Sequence, residues 1–243
     1  MSSFTPSTPF DPSATISRAF EIYRKNASVL LPIAFGIYAV NAIITVAVRG
    51  SLAGSLVVSI ATAVFGIIFQ GIVVELARDV EDGTLDSSVG QLVTAVLPIV
   101  LPLFIVGLIS GVLIGIGFVL IFVPGLYLMT RWFVVGPVVV LERTGPIAAL
   151  GRSHTLVTGS GWPVFGVALF NIVLSLVANL IGAAIGSAGG DAGIFIGSWI
   201  VSALLAPATA LVVAVTYLRL RDAHGDKPLP TGVATADGPQ QAF

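Results

Sequence analysis

Cysteine is absent from this 243-residue chain, histidine occurs twice, and charged residues make up 9% of the sequence. Without cysteine there is neither a disulfide framework nor a thiolate metal site. One of the two histidines, His224, lies in a polar C-terminal stretch, which excludes a histidine-rich metal site. The formal net charge of −1 excludes the dense basic face that nucleic-acid binding requires. We therefore expect no metal, no cofactor and no nucleic-acid partner.

The chain is rich in apolar residues and poor in charged ones. They make up 56% of the chain, and mean hydropathy is +1.04, whereas a soluble domain is roughly 25% charged. Crossing a hydrocarbon core of about 30 Å takes roughly 20 helical residues. Runs of that length lie near 29–48, 55–77, 96–116, 118–141, 162–183 and 194–218. We predict an all-α polytopic membrane protein with six transmembrane helices, in which the third span turns into the fourth at Gly115 to Phe118.

The basic residues predict the orientation. If six spans are present, nine of the eleven Lys and Arg residues share a side with both termini, Arg49 lies opposite, and Arg131 lies inside the membrane. Cytoplasmic loops of membrane proteins carry the excess of Lys and Arg. We therefore predict a multi-pass protein of the cell membrane with both termini in the cytoplasm.

A weak internal repeat divides the chain into three parallel units. The segment 17–35 aligns to 87–104, and a third copy begins at Gly151, each copy preceding a pair of spans. Each unit therefore reads as a short amphipathic helix followed by a helical hairpin. The predicted boundaries are a flexible N-terminus (1–11), a six-span membrane domain (12–222, with units of about 12–80, 84–143 and 146–222) and a disordered cytoplasmic tail (223–243).

The short helix of the first unit has the clearest pattern. Asp11 is the predicted N-cap and Pro12 the first helical residue. Apolar side chains repeat at helical spacing opposite basic ones, which is typical of a helix lying in the membrane interface. The residues we assign to interfacial helices are Arg18, Phe20, Tyr23 and Arg24 in the first unit and Arg152 in the third.

Arg131 lies in the middle of the fourth apolar run and is the first candidate functional residue. Counting 1.5 Å per residue from the cytoplasmic end places it roughly 16 Å deep. An unpaired arginine at that depth is costly and has to face protein or water. Glu75 is the best ionic partner, and the predicted intramembrane polar cluster is Arg131, Glu75, Gln70, Asn41 and Asn171. The pair either locks two spans together or contacts an anion or a lipid headgroup.

Glycines four residues apart form the other recurring pattern. Gly107, Gly111 and Gly115 make one such glycine zipper, and Gly182, Gly186 and Gly190 make a second. Small residues at this spacing let helix backbones approach closely. We expect them to pack helices within the chain, with homo-oligomerisation as the alternative.

Two segments together resemble a known family. These are PGLYLMTRWFVVGPVVVLER, from Pro124, and AALGRSHTLVTGSGWPVFG, from Ala148. They resemble the glycerophosphoryl diester phosphodiesterase membrane domain, with His154 standing where an aromatic residue is usual. The resemblance implies a six-helix membrane domain of largely unassigned function. Phosphodiesterases that carry this domain use a separate soluble barrel for catalysis, so the resemblance implies no catalytic residue here.

The sequence offers no nucleophile paired with a base on a neighbouring span, so we expect a protein that is not an enzyme. The leading interpretation is an integral membrane protein that scaffolds or assists membrane lipids, or a membrane or cytoplasmic protein partner, at the cytoplasmic leaflet. The alternative is a small carrier or lipid transporter with a polar cavity around Arg131.

Overall fold

A computed structural model describes residues 10–48, 51–81, 89–120, 122–187 and 190–226. Within these ranges the chain forms nine α-helices and one 3-10 turn, with no strand. The helices are α1 (Pro12–Ala47), α2 (Leu52–Glu81), α3 (Val89–Val96), α4 (Val100–Leu120), α5 (Phe122–Arg131), α6 (Val135–Glu142), α7 (Pro146–Val157), α8 (Gly161–Gly186) and α9 (Gly190–Ala223). The 3-10 turn, Leu97–Ile99, joins α3 to α4.

Six helical segments are long and apolar enough to span a membrane, as predicted. They are Pro12–Ala47, Leu52–Glu81, Gly90–Leu120, Phe122–Glu142, Gly161–Gly186 and Trp199–Ala223. The all-α polytopic fold class is confirmed. A short helical segment precedes each pair of spans: the start of α1, then α3, then α7. The equivalence of the three units stays a prediction.

Helix α1 consists of two segments joined at Asn26, whose φ of −113° and ψ of 16° are not helical. Asp11 caps the first segment, because its carboxylate accepts hydrogen bonds from the backbone N–H groups of Ser13 (2.8 Å) and Ala14 (3.4 Å). Together with the Ser13 hydroxyl, these donors hold the pKa of Asp11 below its usual 3.8. The break separates the polar segment from the apolar span that follows it.

The first segment of α1 packs one side onto the bundle, and its position in the membrane interface stays a prediction. Phe20 makes an edge-on contact with Phe170 of α8, with ring centroids 6.4 Å apart. The Arg18 Nε donates to Glu81 of α2 at 2.8 Å. Arg24 is exposed.

Tyr23 donates its hydroxyl to the carbonyl oxygen of Leu204 on α9, at 2.8 Å. That carbonyl lies in the turn before Pro207, which has no N–H to donate to the neighbouring Ala203 carbonyl. A polar atom on α9 thus gives this segment a partner that lipid could not supply.

The core surrounds the second half of α2. Phe69 and residues 71–79 are all buried, so this stretch is covered on every face. Helix α2 as a whole contacts α1, α3, α4, α6 and α9. Gly71 admits the closest neighbour, since a Cβ there would lie 2.7 Å from the Val96 side chain. The axis of the molecule at this end is therefore packed protein.

Apolar side chains on the outside of the molecule mark the surface that faces hydrocarbon. Large exposed apolar residues recur along 29–60, 97–127 and 162–204. Apart from Asp191, the acidic and basic residues of the described part of the chain lie outside these stretches: Arg131 follows the second stretch, and the others lie in 11–25, 75–81, 142–152 or 219–226. Ion pairs between α1, α2, α6 and α7 bring these segments together at one end of the bundle, which we term the charged end.

Three predicted boundaries need correction. Helix α4 continues through Gly115–Phe118 to Leu120, because Gly117 has no side chain and allows the backbone of Gly125 on α5 to approach. The predicted turn at Gly115–Phe118 is therefore wrong. Phe10 packs on the core within the predicted flexible N-terminus. Asp226 pairs with Arg152 within the predicted disordered tail. Residues 1–9 and 227–243, and Arg49, lie outside the described part of the chain.

The two glycine patterns differ in outcome. A Cβ at Gly197 would lie 2.4 Å from the Gly182 carbonyl oxygen, and one at Gly193 would lie 2.2 Å from that of Gly186, so the second pattern packs α8 against α9. By contrast, Gly107, Gly111 and Gly115 have nothing within 4 Å of such a Cβ. The prediction of packing within the chain is wrong for the first pattern, because α5 contacts α4 at Gly117 instead.

Candidate functional site

Arg131 is the last residue of α5 and does not contact Glu75. Its Nη1 donates to the Thr158 hydroxyl at 3.0 Å, and its guanidinium carbon lies 5.1 Å from the centroid of the Tyr127 ring. Residues 132–134 form a turn before α6 begins. The break changes the direction of the side chains and invalidates a depth counted along one straight helix. The predicted Arg131–Glu75 pair is wrong for this reason.

Glu75 is instead the anion of a buried ion pair at the charged end. Its exposed fraction is 1%, and its two oxygens lie 3.1 Å from Arg78 Nη1 and 3.6 Å from Arg143 Nη2. Arg143 ends α6 in the left-handed conformation, with φ of 52°. Glycine would adopt that conformation with less strain, but it could not pair with Glu75.

The remaining residues of the predicted intramembrane cluster lie apart from one another. Asn41 of α1 exchanges hydrogen bonds with the Thr62 hydroxyl of α2, at 3.0 and 3.2 Å. Asn171 donates to the Thr209 carbonyl oxygen of α9 at 3.0 Å. Gln70 lies against the backbone of Gly136, where a Cβ would be 3.1 Å from its Nε2. Each amide therefore joins two neighbouring helices, and the predicted single cluster is not present.

Glu142, next to Arg143, carries a second set of contacts. Both its oxygens accept from Arg152 Nε at 3.1 Å, and Oε1 accepts from the Tyr217 hydroxyl at 2.9 Å. Arg152 also donates through Nη2 to Asp226. Burial opposes the charge of Arg152, but these carboxylates outweigh it and raise the pKa of the guanidinium. Arg152 thus lies within a cross-helix network.

We refer to these charged and polar side chains as the ion-pair cluster. Its members are Glu75, Arg78, Asp79, Glu142, Arg143, Arg152, Tyr217 and Asp226. Sequence reasoning missed Glu142, Arg143, Tyr217 and Asp226 as a group. The adjacent Glu142 and Arg143 at the end of an apolar run are the one signal that could have indicated a shared polar environment.

A groove opens beside Arg131 on the outside of the bundle, and we call it the Arg131 groove. Its volume is about 750 Å³. The residues that line it come from α5 and from the start of α8 with its preceding turn: Val123, Leu126, Tyr127, Thr130, Arg131, Gly159, Gly161, Trp162, Pro163 and Phe165. Trp162 is 84% exposed and packs edge-on against Phe165. The groove therefore has apolar and aromatic walls and a single cation.

A chain of hydrogen bonds orients that cation. The Thr158 hydroxyl donates to the His154 carbonyl oxygen at 2.8 Å, which leaves its oxygen lone pairs to accept from Arg131. His154 Nε2 also lies 3.3 Å from the Tyr127 hydroxyl, in hydrogen-bond contact. Because Thr158 occupies one of the five guanidinium N–H donors, others remain for an anion in the groove.

The groove is suited to binding. In the described part of the chain, no group of three or more His, Cys, Asp or Glu residues could hold a metal ion. The groove offers a guanidinium, hydroxyl groups and aromatic faces, which recognise an anion attached to an apolar group. No family model, no curated protein and no solved structure matches the chain.

Proposed function

We propose that the chain is a non-enzymatic integral membrane protein that acts as a scaffold at the cytoplasmic leaflet, where its charged end holds phospholipids or a partner protein. The observation that carries this proposal is the ion-pair cluster. Through Glu142 and Arg143 it joins α6 to α2, α7 and α9 at once. Four elements tied in this way form a stiff platform.

Stiffness favours a scaffold over a carrier. A carrier has to move one group of helices against another to expose its substrate site alternately to the two sides. Such a movement here would separate α6 from α2 and would break the pair between Arg143 and Glu75. Glu75 would keep its pair with Arg78, so the cost falls on Arg143, whose side chain is 33% exposed, and stays below the roughly 3–5 kcal/mol of a buried charge left alone. The packed second half of α2 adds to this resistance.

A lipid transporter is the second candidate, because a groove reaches Arg131. Carrying a headgroup across the membrane requires polar groups along the whole path, since hydrocarbon offers none. The polar lining is confined to the region of Tyr127, Thr130 and Arg131, while Val123 and Leu126 continue α5 with apolar side chains. This distribution supports static binding of a headgroup over transport.

Reconstitution into vesicles tests the choice. Purified protein is placed in phosphatidylcholine vesicles with a fluorescent lipid, and dithionite added outside reports lipid movement between leaflets. We expect the rate of protein-free vesicles, together with bound lipid or protein in native mass spectrometry. Lipid movement that requires Arg131 would replace the scaffold by the transporter, and a bare monomer that moves no lipid would contradict both.

The resemblance to the phosphodiesterase membrane domain is compatible with this proposal, since that family has no assigned chemistry in its membrane part. Residence in the cell membrane with both termini in the cytoplasm forms part of the proposal. It is supported by the gathering of the basic residues at one end of the bundle, which the positive-inside tendency places in the cytoplasm.

A further inference from the structure

We propose that the Arg131 groove binds one anionic phospholipid of the cytoplasmic leaflet, with the lipid phosphate on Arg131 and an acyl chain between α5 and α8. The inference rests on the proposed function and specifies its lipid site. It commits to a lipid taken from the bilayer.

The charge of Arg131 is the first argument. Arg18, Arg143 and Arg152 each have a carboxylate partner at the charged end. No carboxylate in the described part of the chain lies within ion-pair distance of Arg131, whose side chain contacts Thr158 and Tyr127. A guanidinium beside hydrocarbon favours an anion over no partner, and its planar fork of donors fits a phosphate.

The start of α8 adds donors at the same place. Gly161, Trp162 and Pro163 begin this 26-residue helix and line the groove. No side chain caps the helix, so the N–H groups of Gly161 and Trp162 lack that partner, while Pro163 has no N–H, and the helix dipole places partial positive charge there. A phosphate on Arg131 would lie next to these donors.

The walls of the groove account for the rest of the ligand. Val123 on α5 is 69% exposed and belongs to the apolar outer surface, so the groove is open to the surrounding lipid. Trp162 lies beside the cation, as aromatic residues do at the boundary between headgroups and hydrocarbon. A volume of about 750 Å³ lies within the range of ligand sites and is larger than a free phosphate requires. The apolar walls therefore favour a phospholipid over a soluble phosphate compound.

Quenching by brominated lipid measures occupancy at Trp162. Replacing Trp132 and Trp199 by Phe leaves Trp162 as the sole tryptophan of the three in the chain. In phosphatidylcholine vesicles, a minor fraction of brominated phosphatidylglycerol should quench Trp162 more than the same fraction of brominated phosphatidylcholine. We expect Arg131→Gln to lower this preference about fivefold, the typical effect of one basic residue near an anionic surface.

Matched variants separate the groove from general surface charge. Arg24→Gln removes an exposed basic residue elsewhere on the charged end and should leave most of the preference intact. Gly161→Leu fills the groove, since nothing lies within 4 Å of a Cβ there, and should lower quenching by both lipids. Gly166→Leu also projects into open space, but outside the groove lining, and should not change quenching.

Each of the following outcomes supports or refutes the lipid site. If Arg131→Gln keeps the preference, or if Gly161→Leu and Gly166→Leu give equal quenching, the lipid site is wrong. If glycerol 3-phosphate abolishes the preference for brominated phosphatidylglycerol in the parent protein, the groove binds a soluble phosphate compound. The proposal of a phospholipid ligand is then wrong. Should Arg131→Gln fail to fold, the glycine pair still tests the site. Lipid movement in the vesicle assay would refute the scaffold whatever the quenching shows, so the two failures are distinguishable.

Discussion

Glu142 and Arg143 are neighbours in sequence whose side chains bind different helices. The first contacts Arg152 and Tyr217, and the second contacts Glu75. Each charge keeps its opposite within hydrogen-bond or ion-pair distance, which is the condition for placing ions in a packed interior. Two residues at the end of one short helix therefore fix its position against three neighbours.

Tyr217→Phe should destabilise the protein, since it removes a fully buried hydroxyl that donates to Glu142 and preserves the ring. Hydrogen bonds to charged groups contribute about 1.5–3 kcal/mol, so we expect a loss of that size in the free energy of unfolding, measured in mild detergent. Tyr127→Phe is the control, because Tyr127 is 50% exposed and its loss should cost less than about 0.5 kcal/mol. Equal losses would mean that the Glu142 contact contributes little.

At this scale the sequence indicates which residues need partners but not which partners they have. Arg131 and Glu75 are both ions in apolar runs, and each has a polar or charged neighbour, as expected from the cost of leaving it alone. The pairing itself depends on the turn at 132–134. Pro137 is a local signal of this break, because it lacks the N–H that would bond to the Phe133 carbonyl, but it does not specify which side chains the break brings together.

The α8–α9 pair shows how glycine sets the distance between elements. Gly182 and Gly186 on α8 face Gly193 and Gly197 on α9, so each backbone lies where a side chain would otherwise be. Lipid supplies no hydrophobic drive for helix association, and close packing of this kind replaces it. Gly107, Gly111 and Gly115 of α4 make no such contact, although their spacing is the same.

Gly197→Ala and Gly111→Ala make the same chemical change in these two environments. The first places a methyl group 2.4 Å from the Gly182 carbonyl oxygen and forces α8 and α9 apart, which should lower stability by roughly 1–3 kcal/mol. The second meets open space and should be neutral or stabilise by roughly 0.5–1 kcal/mol. Thermal unfolding in one detergent compares them, and a larger loss from Gly111→Ala would contradict the packing described.

Helix number and the break in α1 could be predicted, because length, hydropathy and the polar segment before residue 27 are local properties. The surface against which that polar segment packs could not be predicted. An amphipathic helix fits a membrane surface and a protein surface equally well, and the choice depends on Phe170 and Leu204, which lie more than a hundred residues later.

The molecule has an apolar surface that faces hydrocarbon and a charged surface at one end. Its apolar exterior covers much of α1, α2, α4, α5, α8 and α9, while most charged residues of the described part gather at one end, where ion pairs join neighbouring helices. Arg131 lies where the apolar exterior meets the polar turn at Thr158. A cation at such a boundary can retain part of its solvation or take an anion from the lipid.

Cysteine labelling tests the sidedness on a background without native cysteine. Thr155→Cys on α7 and Ser187→Cys after α8 both change exposed residues. In intact cells, a maleimide that cannot cross the membrane should label position 187 at once and position 155 only after lysis, because we propose that the charged end faces the cytoplasm. The reverse pattern would place the charged end outside the cell.

Glu75 belongs to the ion-pair cluster and Arg131 to the groove, and the proposed function and lipid site both require these two assignments. Double-mutant cycles of unfolding free energy measure both assignments. Glu75→Gln combined with Arg143→Gln should show coupling of at least about 0.5 kcal/mol, whereas Glu75→Gln combined with Arg131→Gln should be additive within about 0.5 kcal/mol. Strong coupling between Glu75 and Arg131, with none to Arg143, would contradict the arrangement and remove the free cation that lipid binding requires.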